Sequence, residues 1–120
     1  MNQQPDIVDR TFKFAVDIVK FAGQFNEKSS IQRILSNQIL RSGTSIGANV
    51  EEGQAAESKA DFIHKYNVAL KEARETRYWL RIFDTSKIAN RENLDVVFKE
   101  SDEICRIIAQ IIINAKKEKK

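Results

Sequence analysis

Apolar positions in this chain recur at three- and four-residue intervals over four long stretches, and no stretch alternates as a half-buried strand would. In the first stretch Ile7, Phe14, Ile18, Phe21 and Phe25 mark one face, with Pro5 at a first helical position and Asp6 and Asp9 in the first turn. The pattern predicts helix one over about 5–26. Val8, Phe12, Ala15, Val19 and Ala22 widen its stripe, as expected of a helix packed against two neighbours. Ser29 followed by Gln32 has the form of a capping box, and Ile31, Ile34, Leu35, Ile39, Ile46 and Val50 continue one face. Helix two is therefore expected over about 30–53, with Gly53 as its C-terminal cap. Ser58 with Asp61 opens helix three, about 58–85, whose inward face reads Phe62, Tyr66, Ala69, Leu70, Ala73, Leu80 and Phe83. Helix four covers about 91–117 on a seam of Leu94, Val97, Phe98, Ser101, Ile104, Cys105, Ile108, Ile112 and Ala115. Four such helices joined by short turns predict an all-α fold, an antiparallel up-down-up-down four-helix bundle that occupies 1–120 as a single domain.

Helix two departs from an ordinary bundle helix in two ways. Gln38, Ser42, Ser45 and Asn49 fall on the same side as Ile31, Leu35 and Ile46, so a polar lane runs beside or inside the core. Buried amides and hydroxyls cost about 1–3 kcal/mol each if unpaired, so these groups must bond across to another helix or to carbonyls one turn back. The lane is either a satisfied network that fixes register or the wall of a ligand or nucleotide pocket. A turn centred near residues 55–56 would place Asn49 near Phe62, Ser45 near Tyr66 and Ser42 near Leu70. The second departure is Gly43 and Gly47 in mid-helix, where each glycine costs about 0.5–1 kcal/mol relative to alanine. With Thr44 and Ala48 they make a small-residue face that another backbone could approach, within the chain or across a subunit boundary. We assign Gly43 and Gly47 to an oligomer interface, because the other face of this helix already points to the core. Ile107 and Ile111 join them, and with Val96, Trp79 and Ile82 they amount to more apolar surface than a monomer needs.

Composition excludes more chemistry than it suggests. The 120 residues hold one histidine, His64, and one cysteine, Cys105, so neither an internal disulfide nor a conventional zinc site is expected. No Glu-x-x-His pair of a di-iron bundle occurs, nor a phosphate-cradling GxGxxG or GxxxxGK[ST]. Glu51, Glu52, Glu72 and Glu75 read as solvated or arginine-paired carboxylates rather than as a catalytic acid and base. The expectation is a chain that is not an enzyme and has no cofactor and no metal. Apolar runs are far shorter than the roughly 20 residues of a membrane span, and no secretory leader is evident, so a cytoplasmic address without membrane partners is expected.

The net charge of +3 is too small to imply a polyanion partner by itself, but its distribution is uneven. Residues 58–90 carry seven basic and four acidic side chains. Lys71, Arg74, Arg77 and Arg81 follow one side of helix three, with Tyr78 alongside and Trp79 further round. Guanidinium groups bind phosphate oxygens in pairs and neighbouring rings offer a base something to stack on, so RNA or DNA is a candidate partner. Local pairing, such as Lys71 with Glu75, is the competing use of the same charges. Lys116 and Lys117 form a second basic spot, which a helix C-terminus also favours through its dipole.

The run Ile39-Leu-Arg-Ser-Gly-Thr-Ser-Ile-Gly-Ala-Asn-Val-Glu-Glu-Gly53, followed by Ser58-Lys-Ala-Asp-Phe-Ile63 and Ala69-Leu-Lys-Glu-Ala-Arg-Glu-Thr-Arg-Tyr-Trp-Leu80, resembles a bacterial four-helix-bundle family. Its members are encoded in intervening sequences of ribosomal RNA genes, and it includes the accessory variability determinant protein of diversity-generating retroelements. The family motif falls here on Arg41, Ser45, Asn49, Glu52, Gly53, Phe62 and Glu72, with Glu75 beside them. The resemblance implies a bundle that assembles into a homo-oligomeric ring, typically a pentamer. For the retroelement member it implies contact with nucleic acid and a reverse transcriptase. The expected function is a non-enzymatic homo-oligomer offering a basic surface to nucleic acid; the alternative is a structural or protein-interaction scaffold without nucleic-acid binding.

Overall fold

A computed structural model of the chain describes residues 3–25 and 29–118. Four helices follow one another: α1 (Gln3–Gly23), α2 (Ser30–Gln54), α3 (Lys59–Ser86) and α4 (Arg91–Lys117). Each packs on the next and α4 closes on α1, so the four form an antiparallel bundle 52 Å long and about 20 Å across. Helix one was expected to reach residue 26, which lies outside the described residues; its last described helical residue is Gly23.

Local chemistry sets the helix ends. Ser29 accepts from the Gln32 amide at 3.3 Å and Ser58 from the Asp61 amide at 3.0 Å, as the capping patterns anticipate. Asn90 caps α4 through the Glu92 and Asn93 amides. No glycine ends α3. Lys87 takes the left-handed conformation (φ 58°), with its amide on the Asp84 carbonyl and the Ile88 amide on that of Phe83. Gly53 is not a cap either: α2 continues to Gln54, and Gly53 is a buried helical residue.

The predicted stripes fill the core, with Ile7, Phe14, Ile18, Ile39, Ile46, Tyr66, Leu80, Ile104 and Ile108 almost wholly buried. Phe21, Phe25 and Phe83 plug one end, their ring centroids 5.2–5.4 Å apart and the planes inclined. The wider stripe of α1 is covered only in part: Ala22 is buried and Val8 packs on the core, but Phe12 is 61% exposed and Val19 51%. Ile31 and Ile34, expected on the inner face of α2, are also exposed.

The small-residue face of α2 meets α1, which corrects its assignment to a subunit boundary. A Cβ on Gly43 would stand 2.9 Å from Ile18 Cγ2, and one on Gly47 would stand 3.2 Å from the Thr11 carbonyl oxygen. Both glycines are buried, and their missing side chains let α1 approach α2 closely. Ile111 is likewise only 4% exposed within the core, and Ile107 is half-buried against it. The aliphatic and phenyl side chains that face outward are instead Phe12, Val16 and Val19 of α1, Ile31, Ile34 and Leu40 of α2, and Val96 and Ile113 of α4.

Candidate nucleic-acid interface

Helix α3 carries charge on two flanks, and its neighbours treat them differently. On the α2 flank, Arg41 reaches Glu72 at 3.4 Å, Glu75 more closely, and Gln38 at 3.3 Å. Glu75 also accepts from Trp79 Nε1 at 3.0 Å, which turns the indole toward α2. Pairing of Lys71 with Glu75 was the competing use of these charges, but Arg41 and Trp79 occupy that carboxylate and Lys71 is exposed. Deeper in the same seam the buried Thr76 hydroxyl is shared between Ser42 Oγ and the Glu72 carbonyl, each at 2.8 Å. Further along, Lys65 meets Glu52 at 2.9 Å, and this contact raises the lysine pKa above its ordinary value. Gln54 donates to the Tyr66 hydroxyl at 2.7 Å; burial pushes the phenol pKa up, and that hydrogen bond opposes the shift.

The ring of Tyr66 occupies the space a side chain on Gly53 would need, since a Cβ there would stand 2.7 Å from Tyr66 Cε1. Phe62 stacks on Tyr66 with centroids 4.3 Å apart. This fit also corrects the expected register: Tyr66 lies against Gly53 rather than Ser45, and Ser42 meets Thr76 rather than Leu70. The first turn of α3 therefore overhangs the end of α2.

The polar lane of α2 is satisfied internally. Asn49 donates to the Ser45 carbonyl at 2.9 Å and reaches Ser45 Oγ at 3.3 Å, while Ser42 pairs with Thr76. Among the described residues, no buried side-chain nitrogen or oxygen lacks a hydrogen-bond partner. The motif residues Arg41, Ser45, Asn49, Glu52, Gly53, Phe62 and Glu72 thus lie on or beside one docking seam between α2 and α3.

On the α4 flank the arrangement opens. Arg77 meets Asp102 at 2.7 Å, and Asp102 also holds Arg106 at 2.8 Å. Across α4, Arg10 grips Glu100 at 2.7 Å and Glu103 at 3.4 Å, so ionic contacts tie α1, α4 and α3 together over the outer surface. These contacts raise the Arg10 pKa, the Glu100 hydrogen bond being the main cause. Among the described residues, Arg74, Arg81 and Lys99 have no carboxylate within ion-pairing distance. Tyr78 is 53% exposed on the outward face of α3, its ring packed edge-on against Trp79 with centroids 5.2 Å apart. Arg77, Arg81, Asp95, Phe98, Lys99 and Asp102 line a groove of about 800 Å³ between the two helices. Cys105 is buried on the α4 seam; burial pushes its thiol pKa up, and nearby Arg77 and Arg74 oppose the shift.

Of the residues singled out from sequence, Arg74, Arg77 and Arg81 share this flank, while Lys71 lies on the outward face of α3. Lys116 and Lys117 stand in the last turn of α4, where Lys59 binds the Glu118 carbonyl near the start of α3. They belong to the opposite end of the bundle from Arg81. Phe98 and Lys99 were not anticipated as parts of a site, because their place beside Arg81 follows only from the packing of α3 on α4.

An all-α bundle whose α2 and α3 dock through a charged and glycine-fitted seam is a helical scaffold with a distinctive sequence signature. The pattern of the 23S rRNA-intervening sequence protein family matches residues 3–110, and the chain belongs to that family. Among solved structures it is similar to a protein of unknown function of the S23 ribosomal protein family from Bacteroides thetaiotaomicron VPI-5482. The identity is 42% over 92% of this chain and 97% of that one, with a TM-score of 0.83. No curated protein matches the chain. Among the described residues, no helix is long and apolar enough to cross a membrane.

Proposed function

We propose that this chain is a non-enzymatic, self-associating bundle that presents the α4 flank of α3 to RNA or DNA. The asymmetry of α3 carries the reading. Its α2 flank spends its charges on docking, whereas on the other flank Arg74 and Arg81 stand beside the partly satisfied Arg77 and have no ion pair among the described residues. Unpaired guanidinium groups in register along a helix favour a phosphate chain, and repetition around an oligomer multiplies the contacts. Self-association draws support from Phe12, Val16 and Val19, which form an exposed apolar stripe at helical spacing on α1. The ring size implied by the family resemblance is a pentamer.

Light scattering gives the mass, and a second measurement with mixed single- and double-stranded nucleic acid at low and moderate salt tests the binding. The expected result is an oligomer that binds in a salt-sensitive way. Replacing Arg74, Arg77 and Arg81 with Gln should lower the slope of log affinity against log salt by about 2 to 3, because fewer counterions are released. An oligomer that ignores nucleic acid at low salt would leave the scaffold reading, in which the α1 stripe binds copies of the chain or another protein.

A further inference from the structure

The α3/α4 groove has features that a merely basic surface lacks. Arg81 stands on its α3 wall and Lys99 on its α4 wall, and neither is neutralised by a described carboxylate. The two acidic groups in the lining are both occupied: Asp102 holds Arg77 and Arg106, and Asp95 holds Arg91 at 3.2 Å. The groove therefore offers free positive charge from both sides and little free negative charge. Phe98, next to Lys99 on the α4 wall, is half-buried against the core and part of the groove lining. Its side chain packs partly on the core and lines the groove, so it offers a flat ligand an apolar surface there.

Size and spacing narrow the ligand. Arg74, Arg77 and Arg81 extend over about 10 Å of helix at 1.5 Å per residue, the length of roughly three stacked nucleotides at about 3.4 Å each. A duplex presents its backbone outward and keeps its bases paired inside, so it can touch the arginines but cannot lay a base on Phe98. A single strand can do both, with phosphates following the cations and an unpaired base on the ring.

We infer that the α3/α4 groove is a binding site for a single-stranded polynucleotide, with a phosphate held between Arg81 and Lys99 and a base stacked on Phe98. This rests on the nucleic-acid reading above and specifies the strandedness and the residues that read it. Phe98 confers the preference for single strands, and the two cations supply the salt dependence.

The test uses fluorescence anisotropy with labelled oligothymidylate and oligouridylate of about twelve nucleotides, and with a duplex of equal length, on the full chain. The wild type should bind the single strands at least tenfold more tightly than the duplex. Phe98→Leu keeps an apolar side chain against the core but removes the ring; it should weaken single-strand binding at least fivefold with the salt slope unchanged. R81Q combined with K99Q changes only exposed side chains, so folding is not at stake. It should lower the slope for single strands by about 1.4. Equal affinity for duplex and single strand, or an unaltered slope in the double variant, overturns the groove site. If the Arg74, Arg77 and Arg81 triple variant still loses binding in that case, the broader reading survives. If the wild type binds no nucleic acid at low salt, both fail together.

Discussion

The two flanks of α3 are both charged and reach opposite ends. Toward α2, Arg41 is held by Glu72 and Glu75, Lys65 by Glu52, and Thr76 by Ser42. Toward α4, Arg77 is held by Asp102 while Arg74, Arg81 and Lys99 find no carboxylate among the described residues. α3 itself contributes acids, Glu72 and Glu75, to the contacts with Arg41 on the first flank and cations, Arg74, Arg77 and Arg81, to the second. The difference lies in what faces each cation across the helix boundary. Where acids face the cation, the charges hold two helices together; beside Arg81, α4 supplies Phe98 and Lys99 together with the already occupied Asp95 and Asp102, and the guanidinium keeps no ion pair among the described residues.

The comparison breaks most severely at Gly53. A larger side chain there collides with the Tyr66 ring, which cannot swing away cheaply because Phe62 stacks on it and Gln54 holds its hydroxyl. Gly53→Leu should destabilise the protein by about 3 kcal/mol, read as a lower urea midpoint. It should also reduce nucleic-acid affinity only in proportion to the fraction unfolded. A loss under about 1 kcal/mol would mean that α2 and α3 separate easily and that the seam does not set their register.

A subtler break removes the buried hydroxyl pair. Thr76→Val leaves Ser42 without its cross-helix partner, although Ser42 can turn to a carbonyl one turn back. The cost should therefore be near the lower end of an unsatisfied buried group, about 1 kcal/mol. Ser42→Ala with Thr76→Val should cost less than the two single changes added together, a coupling that a double-mutant cycle in urea would reveal. Strict additivity would show that the two hydroxyls are neighbours without being partners.

Much of this architecture could be read from residue spacing, and the reasons for the rest are physical. The period of the apolar positions located four helices and most of their buried faces, because burial of one stripe is what makes each helix stable. The polar lane from Gln38 to Asn49 was also visible, since polar side chains on an apolar face must be bonded to something. Register was not. Turn arithmetic placed Tyr66 beside Ser45, whereas the fit of a ring into the space at Gly53 moved α3 along by about two turns. In the same way, Gly43 and Gly47 announced a close approach without naming what approaches, and Ile18 and Thr11 of α1 are the answer. Phe98 read as a seam residue, and nothing in the residue pattern singled out Lys99. Only the packing of α4 on α3 gives them Arg81 as a neighbour.

The sharpest version of the comparison carries the smallest energy. Arg41→Gln and Arg81→Gln are the same chemical change on two flanks of one helix pair or the next. Arg41 is half-exposed and holds two carboxylates, one of them only 13% exposed, so its loss should cost about 0.5 to 1 kcal/mol. Arg81 has no ionic partner among the described residues, and its replacement should change stability by less than about 0.5 kcal/mol in either direction. Unfolding midpoints resolve these values when both variants are measured in one buffer, and added salt should narrow the gap by screening the Arg41 contacts. Affinity for nucleic acid should respond in the reverse order, falling for Arg81→Gln and holding for Arg41→Gln. Stability and affinity that moved together in both variants would mean that the two flanks do the same work, and the division of α3 into a docking side and a binding side would have to be abandoned.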